Sequence, residues 1–156
     1  MIFIDNQLAE MKENIPIIKL EASDVDRLHA LWDQAGLSYR PHGRDERSRL
    51  KRVIEQGIET YWAIFEADRL IGAILASHDG RKGWLNRLAI DPSHRGRGLA
   101  QRLVRRAEDH LHEQGIEIIA VLIEPGNTAS LNLFQKCGYL EFPGMSYLTK
   151  RRRDDI

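Results

Sequence analysis

The chain has 156 residues, enough for one domain with its own core, and its 23 basic and 23 acidic residues give a formal net charge of 0. That balance excludes a global field that would draw the protein to nucleic acid or to an acidic partner. The single cysteine, Cys137, excludes an intramolecular disulfide and a multi-cysteine metal site.

The opening stretch MIFIDNQLAEMKEN carries acids early and no long apolar run, so it reads as a variable N-terminal segment, 1–14, and not as a secretory signal. No stretch is long enough to span a bilayer. The expectation is a cytoplasmic protein with no membrane and no nucleic-acid partner. The segment IPIIKLEA, Ile15 to Ala22, is apolar and β-branched and predicts a strand. Ser23 with Asp26 predicts a helix cap. Val25, Leu28, Leu31, Trp32 and Ala35 then recur on one helical face up to a stop at Gly36. SYRPHGRDE is irregular around Pro41 and Gly43, and a second short helix is expected from Glu46 to Gln56.

The period then changes. TYWAIFEA and RLIGAILASHD predict two strands joined near Ala67 and Asp68, and HDGRKG turns into a third, WLNRLAID, stopped by Pro92. Leu99, Ala100, Leu103, Val104, Ala107 and Leu111 form the apolar stripe of the next helix, which Gly115 stops. IEIIAVLIE is nearly continuously apolar, as for a central strand covered on both faces. A helix from Thr128 to Lys136 ends at Gly138, and YLEF and MSYLTK predict two final strands. The sum is a mixed α/β (α+β) domain over 15–150 with a charged tail, 151–156.

The stretch HRGRGLA stands between a strand and a helix. Free N–H groups at a helix N-terminus favour an anion. Gly96 and Gly98 admit unusual backbone dihedrals, and Arg95 and Arg97 could add charged contacts. Neither GxxxxGK[ST] nor GxGxxG is present, because the chain from Gly96 reads GRGLAQ. Local physics leaves two readings open, a phosphate cradle and a tight turn with solvated arginines.

LAIDPSHRGRGLA, Leu88 to Ala100, resembles the coenzyme-binding signature of the GCN5-related N-acetyltransferase (GNAT) superfamily, with Arg95, Gly98 and Ala100 at its fixed positions. NTASLNLFQKCGY, Asn127 to Tyr139, is similar to the family's second signature. The resemblance covers most of 15–150 and extends to a subgroup of small prokaryotic acetyltransferases. It implies a splayed mixed β-sheet flanked by helices, with acetyl-CoA as donor cosubstrate lying in the splay. The pantetheine arm would pair with the backbone at Leu88, Ala89 and Ile90. The pyrophosphate would sit on amides of Arg95, Gly96, Arg97, Gly98, Leu99 and Ala100. Asn127 and Phe134 would complete the coenzyme site.

The resemblance also implies direct transfer of acetyl to a primary amine of a small molecule or a protein. A carboxylate would take the amine's proton and a phenol could protonate the thiolate. Phe134 stands where many relatives carry tyrosine, and phenylalanine has no exchangeable proton. Tyr147 and Tyr61 are therefore candidate acids, Tyr139 after the helix-ending Gly138 is better suited to packing, and Glu124 and Asp79 are candidate bases. Two of these have a plain alternative: Asp79 suits a hairpin turn and Glu124 a strand end. Glu59 and Glu66 read as strand-surface groups. In the loop before the second helix, Arg40 or Arg44 could meet an acceptor carboxylate, and Asp45 or Glu46 an amine. The six histidines form no metal motif. A noncatalytic acyl-CoA sensor is the alternative function, and a homodimer stays open.

Overall fold

The computed structural model describes residues 15–154 and Ile156. Strand β1 (Ile17–Lys19) leads into helices α1 (Val25–Ala35) and α2 (Arg47–Glu55). Three antiparallel strands follow: β2 (Thr60–Glu66), β3 (Arg69–His78) and β4 (Gly83–Ile90). Helix α3 (Leu99–Glu113) crosses over to β5 (Ile119–Val121), and α4 (Thr128–Lys136) is the last regular element among the described residues. The sheet runs β1-β2-β3-β4-β5, antiparallel except for the parallel pair β4 and β5.

Alternation along the strands divides the core between the two faces. Tyr61, Ala63, Ala73, Leu75 and Ala89 pack on α1 and α2, around Leu28, Leu31, Trp32, Leu50 and Ile54. Trp62, Ile64, Ile74, Ala76 and Leu85 pack on α3 through Leu99, Leu103, Val104, Ala107 and Leu111. The expected apolar stripe of α3 is thus buried except at Ala100, which is partly exposed. Gly83 is where this helix comes closest to the sheet: a Cβ there would stand 2.8 Å from Leu111 Cδ1.

Five local expectations change. The first strand is shortened to Ile17–Lys19. The start of α1 is preceded by a 3-10 turn, Ala22–Asp24, and the Glu21 N–H donates to the Asp24 carboxylate at 3.1 Å, so Glu21 and Asp24 replace Ser23 and Asp26 as the capping pair. Glu46 and Gln56 flank α2 as its caps. The stretch predicted as a central strand forms only the short β5, an edge strand whose neighbours Ile118 and Leu122 are exposed. YLEF and MSYLTK form no strand, and Leu140, Phe142, Met145, Tyr147 and Leu148 are exposed. An extended segment needs a neighbour for its N–H and C=O groups. The described residues on this side offer three-residue β5 alone.

Candidate active site

Strands β4 and β5 pair only at Gly83–Ile119, Trp84–Ala120 and Leu85–Val121. β4 continues to Ile90, bonded on its other side to β3, so its edge from Asn86 to Ile90 faces an opening where β5 has ended. The opening begins at a bulge. The β3–β4 register slips between Ala73 and Leu75, and Arg87 sits at φ +55°. That is a costly conformation for a residue with a side chain. Three contacts hold it there. The guanidinium donates both to Asp45 Oδ1 and Oδ2, at 2.9 and 2.8 Å, and to the Ser38 carbonyl at 2.8 Å. It also lies over the Trp32 ring, 5.2 Å from the centroid.

Past β4 the chain makes a 3-10 turn, Pro92–His94, and a loop into α3. Asp91, 1 % exposed, organises the turn. Its carboxylate accepts from the Ser93 N–H at 2.9 Å and from the Ser93 hydroxyl, and it pairs with His94 Nδ1 and with Arg69. The Ser93 hydroxyl bond is the main cause that lowers the Asp91 pKa to about 2. His94 Nε2 lies 2.9 Å from Glu66, which ties the turn to the end of β2. Gly98, at φ +73° and ψ +7°, is the left-handed residue that starts α3, and no side chain caps the helix. The N–H groups of the first turn therefore have no acceptor inside the helix. Gly96 is also left-handed, and a Cβ at either glycine would meet nothing within 4 Å. The glycines supply backbone conformation here, and they do not relieve crowding inside the protein.

Arg95 turns back to the Ile90 and Ala35 carbonyls, at 3.4 and 3.1 Å, and Arg97 to the Ser93 carbonyl at 3.5 Å. Both arginines clasp the loop. Leu88, Ala89 and Ile90 lie on the edge of β4 that β5 leaves unpaired, and Leu99 and Ala100 in the first turn of α3. Asn127 caps α4, its Oδ1 accepting the Ser130 N–H at 3.1 Å. Phe134 is buried on the α3 face, edge-on to Tyr139 at 5.1 Å. Burial, and then the neighbouring Glu108, push the Tyr139 phenol well above its ordinary value.

The catalytic candidates Asp79, Glu124 and Tyr147 fall on separate segments. Asp79 accepts the N–H groups of Arg81 and Lys82, both at 2.8 Å, in the exposed β3–β4 turn, and these bonds hold its pKa below the usual carboxylate value. Glu124 is exposed beyond β5, where its carbonyl accepts from Asn127 N–H. Tyr147 is exposed on the irregular C-terminal stretch. Asp45 and Glu46 are already engaged. Asp45 is buried against Arg87 and also accepts the Arg40 N–H at 2.7 Å, while Glu46 caps α2 through the Ser48 N–H. Among the described residues, no group of three His, Cys, Asp or Glu side chains could hold a metal ion, and no helix is long and apolar enough to cross a membrane.

Sequence reading missed Glu59. It precedes β2 and is half-buried, and it accepts a hydrogen bond from the Tyr61 hydroxyl at 3.1 Å. Burial raises its pKa, with Asp45 adding to the effect; the Tyr61 bond and Arg87 oppose it. Tyr61 is itself buried, so its phenol is raised well above the usual value. The only signal in the sequence was the i, i+2 spacing of Glu59 and Tyr61, which places both on one face of a strand.

Residues 25–139 match the Acetyltransferase (GNAT) family. An acetyltransferase of Sodalis glossinidius is 26% identical over 132 residues, covering 85% of this chain and 92% of that protein. The fold is similar to that of AAC(6')-Iy, solved with a bisubstrate analogue, CoA-S-monomethyl-acetylneamine. The TM-score is 0.72 at 20% identity, over 87% of this chain and 97% of the other. A predicted acetyltransferase of Clostridium acetobutylicum solved with acetyl-CoA gives 0.69 at 16% identity, over 86% and 95%.

Proposed function

Because the chain belongs to the Acetyltransferase (GNAT) family and is an acetyl-CoA-dependent acetyltransferase, we propose that it transfers acetyl directly from the thioester to a primary amine of a small molecule or protein. One observation carries this reading. The unpaired edge of β4, Asn86 to Ile90, leads through the 3-10 turn Pro92–His94 and the glycine loop to the N-terminus of α3, which no side chain caps. A chain of amides followed by a diphosphate, the outline of pantetheine pyrophosphate, matches those two surfaces in that order.

In this reading the backbone at Leu88, Ala89 and Ile90 pairs with the pantetheine arm as a further strand would. The pyrophosphate rests on the N–H groups from Gly96 to Ala100, where the helix dipole adds to the hydrogen bonds. A β4 N–H beside the bulge polarises the thioester carbonyl and steadies the oxyanion that forms there. The neutral amine attacks the carbonyl carbon, the C–S bond breaks, and the thiolate leaves. Phe134, buried against Tyr139, has no proton to give. The thiolate instead takes a proton released from the attacking nitrogen. Cys137 is outside this path: burial raises its thiol above the ordinary value, so the nucleophilic thiolate is scarce at neutral pH.

The test pairs calorimetric titration of acetyl-CoA, with dephospho-CoA as control, with thiol release across a panel of primary amines. Saturable binding with transfer to one class of amine is expected. No binding at millimolar acetyl-CoA overturns the reading. Binding with no transfer to any amine favours a noncatalytic acyl-CoA sensor.

A further inference from the structure

We propose that Glu59 binds the ammonium group of the acceptor on the α1–α2 face of the sheet and removes the proton that prevents attack. The inference rests on the acetyl-transfer reading and deepens it by assigning the acceptor's cation site and its base.

Tyr61 pairs with Leu75, and Leu75 with Asn86, so these three share one row across β2, β3 and β4. Thr60 pairs with Ala76 and Ser77 with Trp84, which places Glu59 one residue further along, beside the Ser77–Trp84 row. Trp84 is in the last stretch of β4 still paired to β5, and Asn86 and Arg87 are the first residues past it. Glu59 therefore stands next to the apex of the opening. It is on the same face as Tyr61, Asp45 and Arg87, and two strand spacings, about 10 Å, from β4. In the proposal the acceptor amine and one relaying water lie across that distance.

The charges select the ligand. Arg87 Nη2 donates to both carboxylate oxygens of Asp45, so the two charges neutralise each other, and Asp45 is further occupied by the Arg40 N–H and by Arg44 at 3.7 Å. Among the described residues Glu59 has no ion-pair partner in the group formed by Tyr61 on β2, Asp45 on the α1–α2 connection and Arg87 on β4, where Arg87 is paired with Asp45 and acts on Glu59 only at longer range. Its one hydrogen bond among these is from a neutral phenol. A half-buried carboxylate in that setting attracts a cation and has lone pairs free to accept its protons. The acceptor class is thus a primary ammonium. An acceptor presenting a carboxylate next to its amine is disfavoured, since Arg87 is spent.

The step balances as follows. Glu59 takes one proton from R–NH₃⁺, and the neutral amine forms the C–N bond. The C–S bond breaks as the nitrogen's second proton passes to the thiolate, giving the amide and coenzyme A. Glu59 then returns its proton to solvent. Burial, by raising the pKa of Glu59, makes it a stronger base than an exposed carboxylate.

The linkage has a definite sign. An acid whose folded pKa is raised favours the folded state when protonated. Its contribution is therefore present below the ordinary glutamate value and is lost as pH rises through the raised one. Glu59→Gln keeps an oxygen to accept the Tyr61 hydroxyl and removes the buried charge. At pH 7.5 it should melt no lower than wild type, and a purely structural glutamate would give no further change.

The experiment compares wild type, Glu59→Gln and Glu59→Asp. Acetyl-CoA affinity is read by calorimetry. Thiol release is followed with cadaverine, spermidine, kanamycin and an alanyl peptide from pH 6 to 9. Glu59→Gln should bind acetyl-CoA as wild type does. With the best probe amine, its kcat/KM should fall about 100-fold or more at pH 7. The deficit should shrink toward pH 9, where free amine is already present, and Glu59→Asp should recover part of the rate. Wild-type kcat/KM in Glu59→Gln across the whole range overturns the proposal and leaves the acetyl-transfer reading intact. Failure of wild type to bind acetyl-CoA overturns both. If wild type acetylates none of the four probes, the Glu59 carboxyl is followed by ¹³C NMR, assigned by its loss in Glu59→Gln. Titration above the other glutamates and a shift on adding cadaverine to the CoA-saturated protein support the site, and no shift overturns it.

Discussion

The turn after β4 and the α1–α2 face, the proposed donor and acceptor sides of the reaction, are built in opposite ways. The turn is made from consecutive residues, Asp91 to Ala100, and its working groups are backbone N–H donors whose position follows from local dihedrals. The face is made from side chains brought together by the sheet. Arg87 and Asp45 are 42 residues apart, and Glu59 and Tyr61 come from a third segment. The first arrangement tolerates substitution of its side chains so long as the backbone turns correctly. The second depends on its side chains being present, because the buried Asp45 charge is balanced by Arg87 from elsewhere in the chain.

Breaking the second arrangement should have the largest effect. Arg87→Ala leaves Asp45 buried without its cation, a loss of about 3–5 kcal/mol, to be measured by urea denaturation. Arg87→Gly should fare better by roughly 1 kcal/mol, since glycine accepts φ +55° without strain. Equal losses for the two would mean that the left-handed bulge has relaxed.

In the turn, Gly98→Asp should cost less in stability and act on the ligand. At φ +73° the substitution is strained by about 1–2 kcal/mol, and the added carboxylate faces the proposed pyrophosphate. Acetyl-CoA should bind at least tenfold more weakly, while a charge-neutral Gly98→Asn should lose less. An unchanged dissociation constant in folded Gly98→Asp would move the phosphate elsewhere. Asp91→Asn comes next. With a folded pKa near 2, below the ordinary 3.8, Asp91 stabilises the protein above pH 4 and loses that contribution as pH falls toward 2. The variant should lose about 1–3 kcal/mol at neutral pH, and its stability should vary less between pH 4 and 2. Acid titrations that superimpose would remove Asp91 from this role. The smallest effect belongs to Cys137→Ser, which should keep turnover within about twofold if packing survives. An acetylated Cys137 formed and consumed at the rate of catalysis would break the direct mechanism.

The same contrast explains what the sequence revealed. α4 follows its predicted span from Thr128 to Lys136, and α3 begins at Leu99 after HRGRG, because helix periodicity and left-handed glycines are local signals. β2, β3 and β4 lie within a residue of their predicted runs, since alternation survives wherever one face is buried. The long apolar run around β5 suggested a central strand, but centrality depends on neighbours, and the described chain provides none beyond it. Leu140, Phe142 and Met145 look like strand residues in isolation and still need an edge to pair with. Asp45 and Glu46 drew notice as polar loop residues, although nothing local says that one is clasped by Arg87 and the other caps a helix. Glu59 looked like a surface residue because its burial comes from the Tyr61 row and from the clasped loop above it.

The Asp45–Arg87 clasp also bears on how quickly the protein comes apart. The pair closes a 42-residue separation and needs both the β4 bulge and the α1–α2 connection in place before its charges can leave water together. Contacts of that kind are completed late, after the rate-limiting crossing has buried most of the core. Their loss is felt mainly on the way out, as faster unfolding, with the folding rate little changed. The expectation is that the clasp is a kinetic latch: cutting it should shorten the lifetime of the native state and speed cleavage by a protease that captures the opened chain faster than it recloses.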